Sequence, residues 1–237
     1  MLDVLLLRFD APLLSFGGPA IDNLGVTRRF PGRAMLTGIL GNALGYRHGD
    51  AGKIQALQER VTYAVRCDCP GHRIVDYQTV DLSQDFLHQG WTTRGAAEGR
   101  EGGTASEATH IRKRDYLADA VYTIALTLVP QDAAPSLADV EAALRLPARP
   151  LFLGRKSCLP AAPLLLDRAE AASLRAAVEA APPCPRGERG RAIPAWWPAD
   201  EDTDRPGARL IPVSDDRDWV NQIHVGRRWV HEGTVDG

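Results

Sequence analysis

Leu2-Asp3-Val4-Leu5-Leu6-Leu7-Arg8-Phe9 is an apolar run broken only by Asp3 and Arg8. A run of this length without polar alternation predicts a central strand buried on both faces. Further on, Met35, Leu36, Ile39, Leu40, Ala43 and Leu44 recur at spacings of three and four, so a helix with one apolar face should begin near Arg33. A second, shorter helix carries Ile54, Leu57 and Val61, with Asp50 as its candidate N-cap. Val61, Tyr63, Val65 and Cys67 then alternate with Thr62, Ala64 and Arg66, and Tyr122, Ile124, Leu126 and Leu128 alternate with Thr123, Ala125 and Thr127, which predicts two strands. Ser136-Leu137-Ala138-Asp139 has the form of a capping box, opening a helix with Leu137, Val140 and Leu144 inward and ended by Pro147 and Pro150. Leu151-Phe152-Leu153 reads as one more short strand. The order strand, helix, strand, strand, helix, strand is an α+β, ferredoxin-like plan of the kind found in RNA-recognition modules. The predicted central strands lack the stacking aromatics of such modules, so loops rather than the open sheet face should carry any RNA contact.

Residues 77–115 interrupt this plan. Apolar content falls, and Gly90, Gly95, Gly99, Gly102 and Gly103 appear among Thr, Glu and Arg. The segment is too long for a simple loop in a compact domain. It reads as an arm that is mobile in the free chain and ordered on a partner, with Phe86, Leu87 and Trp91 as anchors. After Asp167 an alanine-rich helix should run to about Ala181, before Pro182-Pro183. The rest is irregular, with short strand-like pieces such as Arg209–Val213 and a paired Trp196-Trp197 that reads as local packing. Gly38, Gly41 and Gly45 form a stripe on the first helix. Each glycine costs a helix about 1 kcal/mol relative to alanine, so something should approach that backbone closely.

With 44% hydrophobic and 24% charged residues among 237, the composition is that of an ordinary globular protein. No apolar run has the length of a membrane span, and the opening run lacks secretory-signal features, so a cytoplasmic protein without a membrane partner is expected. The net charge of −2 conceals basic clusters at Arg28-Arg29 with Arg33, at Arg112-Lys113-Arg114, at Arg155-Lys156 and at Arg227-Arg228. Local basic patches on a near-neutral chain suit a partner that touches several small areas. Cys67, Cys69, Cys158 and Cys184 match no structural zinc spacing and read as free thiols; neither a metal nor a cofactor is implied. Phosphate-loop, zinc-protease and nucleophile-elbow motifs are absent from the sequence, and its six histidines are scattered.

The most specific stretch is Leu151-Phe152-Leu153-Gly154-Arg155-Lys156-Ser157-Cys158-Leu159-Pro160. A glycine followed by two cations and a hydroxyl is a candidate phosphate cradle. Together with Gly25-Val26-Thr27-Arg28-Arg29-Phe30-Pro31-Gly32-Arg33, Leu36-Thr37-Gly38-Ile39-Leu40-Gly41, Tyr63-Ala64-Val65-Arg66-Cys67-Asp68 and Arg114-Asp115-Tyr116-Leu117, it resembles the CasD family of type I-E CRISPR Cascade complexes over residues 2 to about 166. The resemblance implies a ferredoxin-like palm (1–166), a β-hairpin thumb at 77–115 starting with Tyr77-Gln78-Thr79, and a C-terminal extension (167–237) packed on the palm. It also implies an RNA-binding, non-catalytic role: capping the 5′ handle of the guide RNA, beside the backbone subunit CasC and the large subunit CasA, with target DNA met only through the complex. Arg29, Arg33, Arg112, Arg114, Gly154, Arg155, Lys156 and Ser157 are then the expected RNA-facing residues, and Phe86 and Trp91 the thumb anchors. Two other readings stay open. One is a metal-independent endoribonuclease acting on precursor guide RNA, with His110, Lys113 and Tyr116, or Tyr46 and His48, as acid–base groups. The other is a protein–protein adaptor.

Overall fold

The computed structural model describes residues 1–18, 23–81, 89–91, 96–99, 109–186, 192–201 and 206–236. The opening apolar run is strand β1 (Leu2–Asp10). Leu5, Leu7 and Phe9 enter one core cluster, while Val4 and Leu6 enter a second on the other side of the sheet. Two short strands follow, β2 (Leu13–Leu14) and β3 (Leu24–Gly25), then helices α1 (Arg33–Ala43) and α2 (Ala51–Arg60) and strand β4 (Val61–Cys69). Next come β5 (His72–Asp81), β6 (Gln89–Trp91), β7 (Ala97–Gly99), β8 (Thr109–Ala118) and β9 (Val121–Leu128). Helix α3 (Leu137–Arg145), strand β10 (Leu165–Ala171) and helix α4 (Leu174–Ala180) lead to the last strands: β11 (Ala192–Pro198), β12 (Arg209–Val213), β13 (Asp216–Asp218), β14 (Ile223–Val225) and β15 (Arg228–Asp236).

The fold is mixed α+β and dominated by a seven-stranded antiparallel sheet in the order β10-β1-β9-β4-β11-β15-β12. Leu36, Ile39 and Leu40 of α1 and Leu137, Val140 and Leu144 of α3 cover one face. Leu174, Ala177 and Val178 of α4 cover the other. The expected capping box is present: Ser136 Oγ accepts from the Asp139 amide at 3.2 Å, and Asp139 accepts from the Ser136 amide at 2.8 Å. Asp50 stands at the N-cap of α2, but its carboxylate accepts from the Arg47 amide instead of capping the helix.

Two expectations need correction. Leu151–Leu153 forms no strand, because its backbone groups serve turn closure: the Leu153 amide donates to Cys158 O at 2.8 Å, and Leu153 O accepts from the Ser15 amide at 3.1 Å. The segment from Asp167 to about Ala181, expected as one alanine-rich helix, starts inside β10 (Leu165–Ala171) on the edge beside β1, and only Leu174–Ala180 is helical. The expected boundary at 166/167 thus falls within β10, and β11, β15 and β12 continue the same sheet beyond β4. Trp196 and Trp197 are both buried in β11, on opposite sides of the sheet. The four cysteines are free thiols.

β5 and β8 form a long hairpin with ten cross-strand partners, from His72↔Ala118 to Asp81↔Thr109. β2 and β3 pair with the other side of β8 near its base. Most residues of β5 are exposed. β6 and β7 pair with each other, Trp91 opposite Ala97. Phe86, Leu87 and the remaining middle of the expected arm lie outside the described residues.

Candidate nucleic-acid interface

Helix α1 starts on a carboxylate. The Arg33 amide donates to Asp215 Oδ2 at 2.8 Å, and the Ala34 amide donates to Asp215 O at 2.9 Å. Asp215 also accepts from Tyr63 Oη at 3.0 Å and from both Nε and Nη2 of Arg228 at 2.7 Å. Burial alone would raise its carboxyl, but Arg228, the Arg33 amide and Tyr63 outweigh burial and hold it below the ordinary carboxylate range. Gln58 of α2 grips the next segment: its Oε1 accepts from the Arg217 amide at 3.1 Å and from Trp219 Nε1 at 3.0 Å, and its Nε2 donates to Arg217 O at 2.9 Å. These bonds stand the β13–β14 hairpin against α1 and α2.

The hairpin, α1, the loop at 15–18 and the turn at 149–155 enclose a cleft of about 750 Å³. Arg28, Arg47, Arg149, Arg155 and Arg217 line it, with His48 and His224; Asp215, buried and already paired, is the one carboxylate among the described lining residues. Five arginines against one neutralised acid give the cleft a positively charged lining, of the kind that suits an anion. His224 is held below the usual imidazole value, first by burial and then by Arg28 and Arg217. Phe16, Tyr46, Phe152 and Trp219 add aromatic wall.

Gly38 and Gly41 form the floor on α1. A Cβ at Gly38 would meet Trp219 at 3.6 Å, and one at Gly41 would meet Tyr46 at 3.6 Å and Ile54 at 3.8 Å, all ordinary contact distances. Packing of the protein itself therefore demands neither glycine. Gly45 differs: with φ +82° just beyond the C-cap Leu44, it ends the helix.

The expected RNA-facing residues divide into three groups. Arg112 and Arg114 lie on one face of β8, opposite Gln78 and Asp76, with His110 further out and Tyr116 at the base. Arg155 lies 4.7 Å over the Tyr116 ring, so this basic face runs down to the cleft. Lys156 and Ser157 are exposed beside it, Ser157 Oγ standing 3.4 Å from Tyr116 Oη. Two donors of Arg155 are already on main-chain carbonyls, Asp115 O at 2.6 Å and Gly25 O at 2.8 Å. Gly154, at φ +109°, is a glycine because an added Cβ would sit 1.7 Å from Ser15 O; the close approach is by the protein's own backbone. Arg29 and Arg33 are held in ion pairs, with Glu232 and with Asp216 respectively. Arg29 also lies 5.3 Å over Trp196, on the C-terminal strands. Trp91 lies in β6 and Phe86 outside the described residues.

The acid–base candidates on the hairpin do not converge. His110 and Tyr116 are six residues apart on one strand, roughly 20 Å. Lys113 points to the opposite face of that strand, and Tyr116 is buried. Tyr46 and His48 do share the cleft. Sequence reasoning missed Arg47, Arg149, Arg217 and Trp219, and passed over His224 as one of six scattered histidines. Arg217 and Trp219 lie in a charge-rich, weakly patterned stretch, and only their tertiary contacts with Gln58 give them meaning. Among the described residues no group of three or more metal-ligating side chains occurs, and no helix is long and apolar enough to cross a membrane.

The class to which this sheet-dominated α+β chain belongs is that of the CRISPR-associated proteins. The model of the family described as CRISPR-associated protein (Cas_Cas5), Cas_Cas5d, matches residues 4–231, and the chain belongs to this family. It is 37% identical over 171 residues to the CRISPR system Cascade subunit CasD of Escherichia coli (strain K12), covering 72% of this chain and 73% of that relative. Among solved structures it is similar to a chain of a CRISPR RNA-guided surveillance complex, with a TM-score of 0.66 and 27% identity over 98% of this chain and 90% of the other. A structure described as a Cas protein matches in fold, with a TM-score of 0.64 and 23% identity over 98% and 95% of the two chains.

Proposed function

We propose that this chain is a non-catalytic, RNA-binding subunit of a type I-E Cascade complex, working in the cytoplasm, where it caps the 5′ handle of the guide RNA. The observation that carries the reading is the cleft of five arginines over the glycine floor of α1, continuous through Arg155 with the basic face of β8. A partner that is anionic, thin enough to enter a cleft and long enough to follow a hairpin is a single strand of nucleic acid. We read β1, β4, β9 and β10 with α1 and α3 as the ferredoxin-like palm: taken first to fourth in chain order, these strands lie in the spatial order fourth, first, third, second. The β5–β8 hairpin is read as the thumb, reaching toward a CasC subunit, with CasA as the other protein neighbour and target DNA reached only through the assembly. The relative's identity as a Cascade subunit and the similarity to a surveillance-complex chain support this reading.

The test is co-expression of the chain with precursor guide RNA, followed by purification and sequencing of the RNA retained. Enrichment of the 5′ handle is expected. Recovery of random RNA, or none, overturns the reading. The same preparation, incubated with labelled repeat RNA in the absence of divalent metal, should leave it intact. Specific cleavage that disappears in Tyr46→Phe would make the chain a nuclease.

A further inference from the structure

We propose that the cleft holds one unstacked base of single-stranded RNA against the indole of Trp219, with Gln58 as the positioning residue for that ring; this rests on the RNA-binding reading above. Trp219 lines the cleft and is half-buried on the turn after β13. Its indole N–H, which would otherwise seek solvent, donates to Gln58 Oε1 at 3.0 Å. Gln58 is 3% exposed and also brackets Arg217 through its main-chain N–H and C=O. One buried amide therefore fixes the whole segment from Arg217 to Trp219 and leaves the ring no free rotation. The Arg217 guanidinium lies over the ring, 5.5 Å from its centroid, and is itself held by Gln222 Oε1 at 2.7 Å and Gln222 O at 3.1 Å. A ring fixed by a cation on one face is a stacking platform for a base on the other.

The surroundings select the ligand class. A volume of about 750 Å³ lies within the range of about 300–1,000 Å³ typical of small-ligand sites. Arg28, Arg47 and Arg149 line the same cleft and supply positive charge for the flanking phosphates. Gly38 lets the Trp219 ring pack directly on α1, its Cη2 standing 3.6 Å from where a Cβ would be, which helps to fix the ring. A paired base offers only its edges, so the occupant is a nucleotide from an unpaired stretch.

The probe is a single-stranded RNA of about eight nucleotides carrying 2-aminopurine at each position in turn, bound to the full-length chain. One position is expected to be quenched on binding. Trp219→Leu should abolish that quench and weaken binding about 10-fold while leaving the salt dependence unchanged, because no phosphate contact is lost. Making that one nucleotide abasic should weaken binding by the unaltered protein to a similar degree, which keeps the test valid if the variant folds poorly. Gln58→Leu should weaken binding in the native background and add little in the Trp219→Leu background. If the native protein binds RNA but no position is quenched, or Trp219→Leu quenches as before, the stacking assignment is overturned and RNA binding stands. If the native chain binds no RNA at all, both fall together.

Discussion

Arg155 donates to the carbonyls of Asp115 and Gly25 and lies over Tyr116, whereas the neighbouring Lys156 makes no hydrogen bond or ion pair with the described residues. Two cations that look equivalent in sequence therefore have separable tasks. Arg155→Ala should lower stability by about 2 kcal/mol, the scale of losing charged donors to partly buried carbonyls, and shift the urea midpoint accordingly. Lys156→Ala should leave that midpoint within about 0.5 kcal/mol of native and instead reduce the salt slope of RNA binding by roughly one phosphate contact. Equal effects of the two substitutions on stability would refute the division. Asp215 supplies a pH test at the same scale. Its folded-state pKa lies below that of an unfolded aspartate because Arg228, the Arg33 amide and Tyr63 overcome its burial. The carboxylate's stabilisation is therefore complete above the unfolded value of about 3.9 and is lost as pH falls through that value toward the folded one. Burial raises the neighbouring Asp216, whose contribution has the opposite sign and offsets part of the slope. Asp215→Asn should lower stability at neutral pH and flatten the acid limb of unfolding below about pH 4. An unchanged acid limb would mean that other carboxylates dominate it.

Helix α1 keeps two glycines that its own packing does not need, since a Cβ at either would find only ordinary contacts. Gly38→Ala should therefore raise the stability of the free chain by about 0.5–1 kcal/mol, the helix-propensity gain, while weakening RNA binding by narrowing the cleft. Chemical denaturation and binding measured on the same variant give the two signs; a variant with tighter binding, or with lower stability, would refute the account of the floor. The sequence disclosed this helix well, because Leu36, Ile39 and Leu40 recur at its period and all three are buried. β4 and β9 were legible for the matching reason at period two. β10 was not: Leu165–Ala171 is rich in alanine and charge, so local propensity favoured a helix, and the open edge of β1 decided otherwise. The turn at Gly154 was legible as a special backbone, but not the cause, which is Ser15, far away in sequence. The cleft itself was half legible. Arg28 and Arg155 stood out in basic clusters and the glycine stripe pointed at close approach, yet the wall carrying Arg217 and Trp219 comes from a segment with no periodicity, placed by one buried glutamine.

Across the whole molecule, the C-terminal strands are structural members of the same sheet. β11 pairs with β4 at Ala195↔Arg66 and Trp196↔Val65, and covers an edge that β4 would otherwise expose. Trp196, Val213 and Val230 enter the core cluster that holds α1 and α3, while Trp197 and Val235 enter the one under α4. Arg66, 1% exposed within β4, donates to Asp68 at 2.8 Å, to Val178 O at 2.6 Å, to Ala181 O at 3.1 Å and to Pro182 O at 3.1 Å, so a single side chain closes the C-terminal end of α4 onto the sheet. The cleft needs both halves of the chain as well, since α1 supplies its floor and the β13–β14 hairpin one wall. With both clusters and the site shared, no line divides the sheet without opening a core. The chain should therefore unfold as one unit, with tryptophan fluorescence and far-UV circular dichroism changing together along a urea titration. A chain ending at residue 186 should lack a sharp thermal transition, because removing β11 and β15 uncovers the β4 edge and opens both clusters at once. If that fragment instead melted cooperatively within about 5 °C of the full chain, the N-terminal strands and helices would fold independently and the last strands would be an appendage.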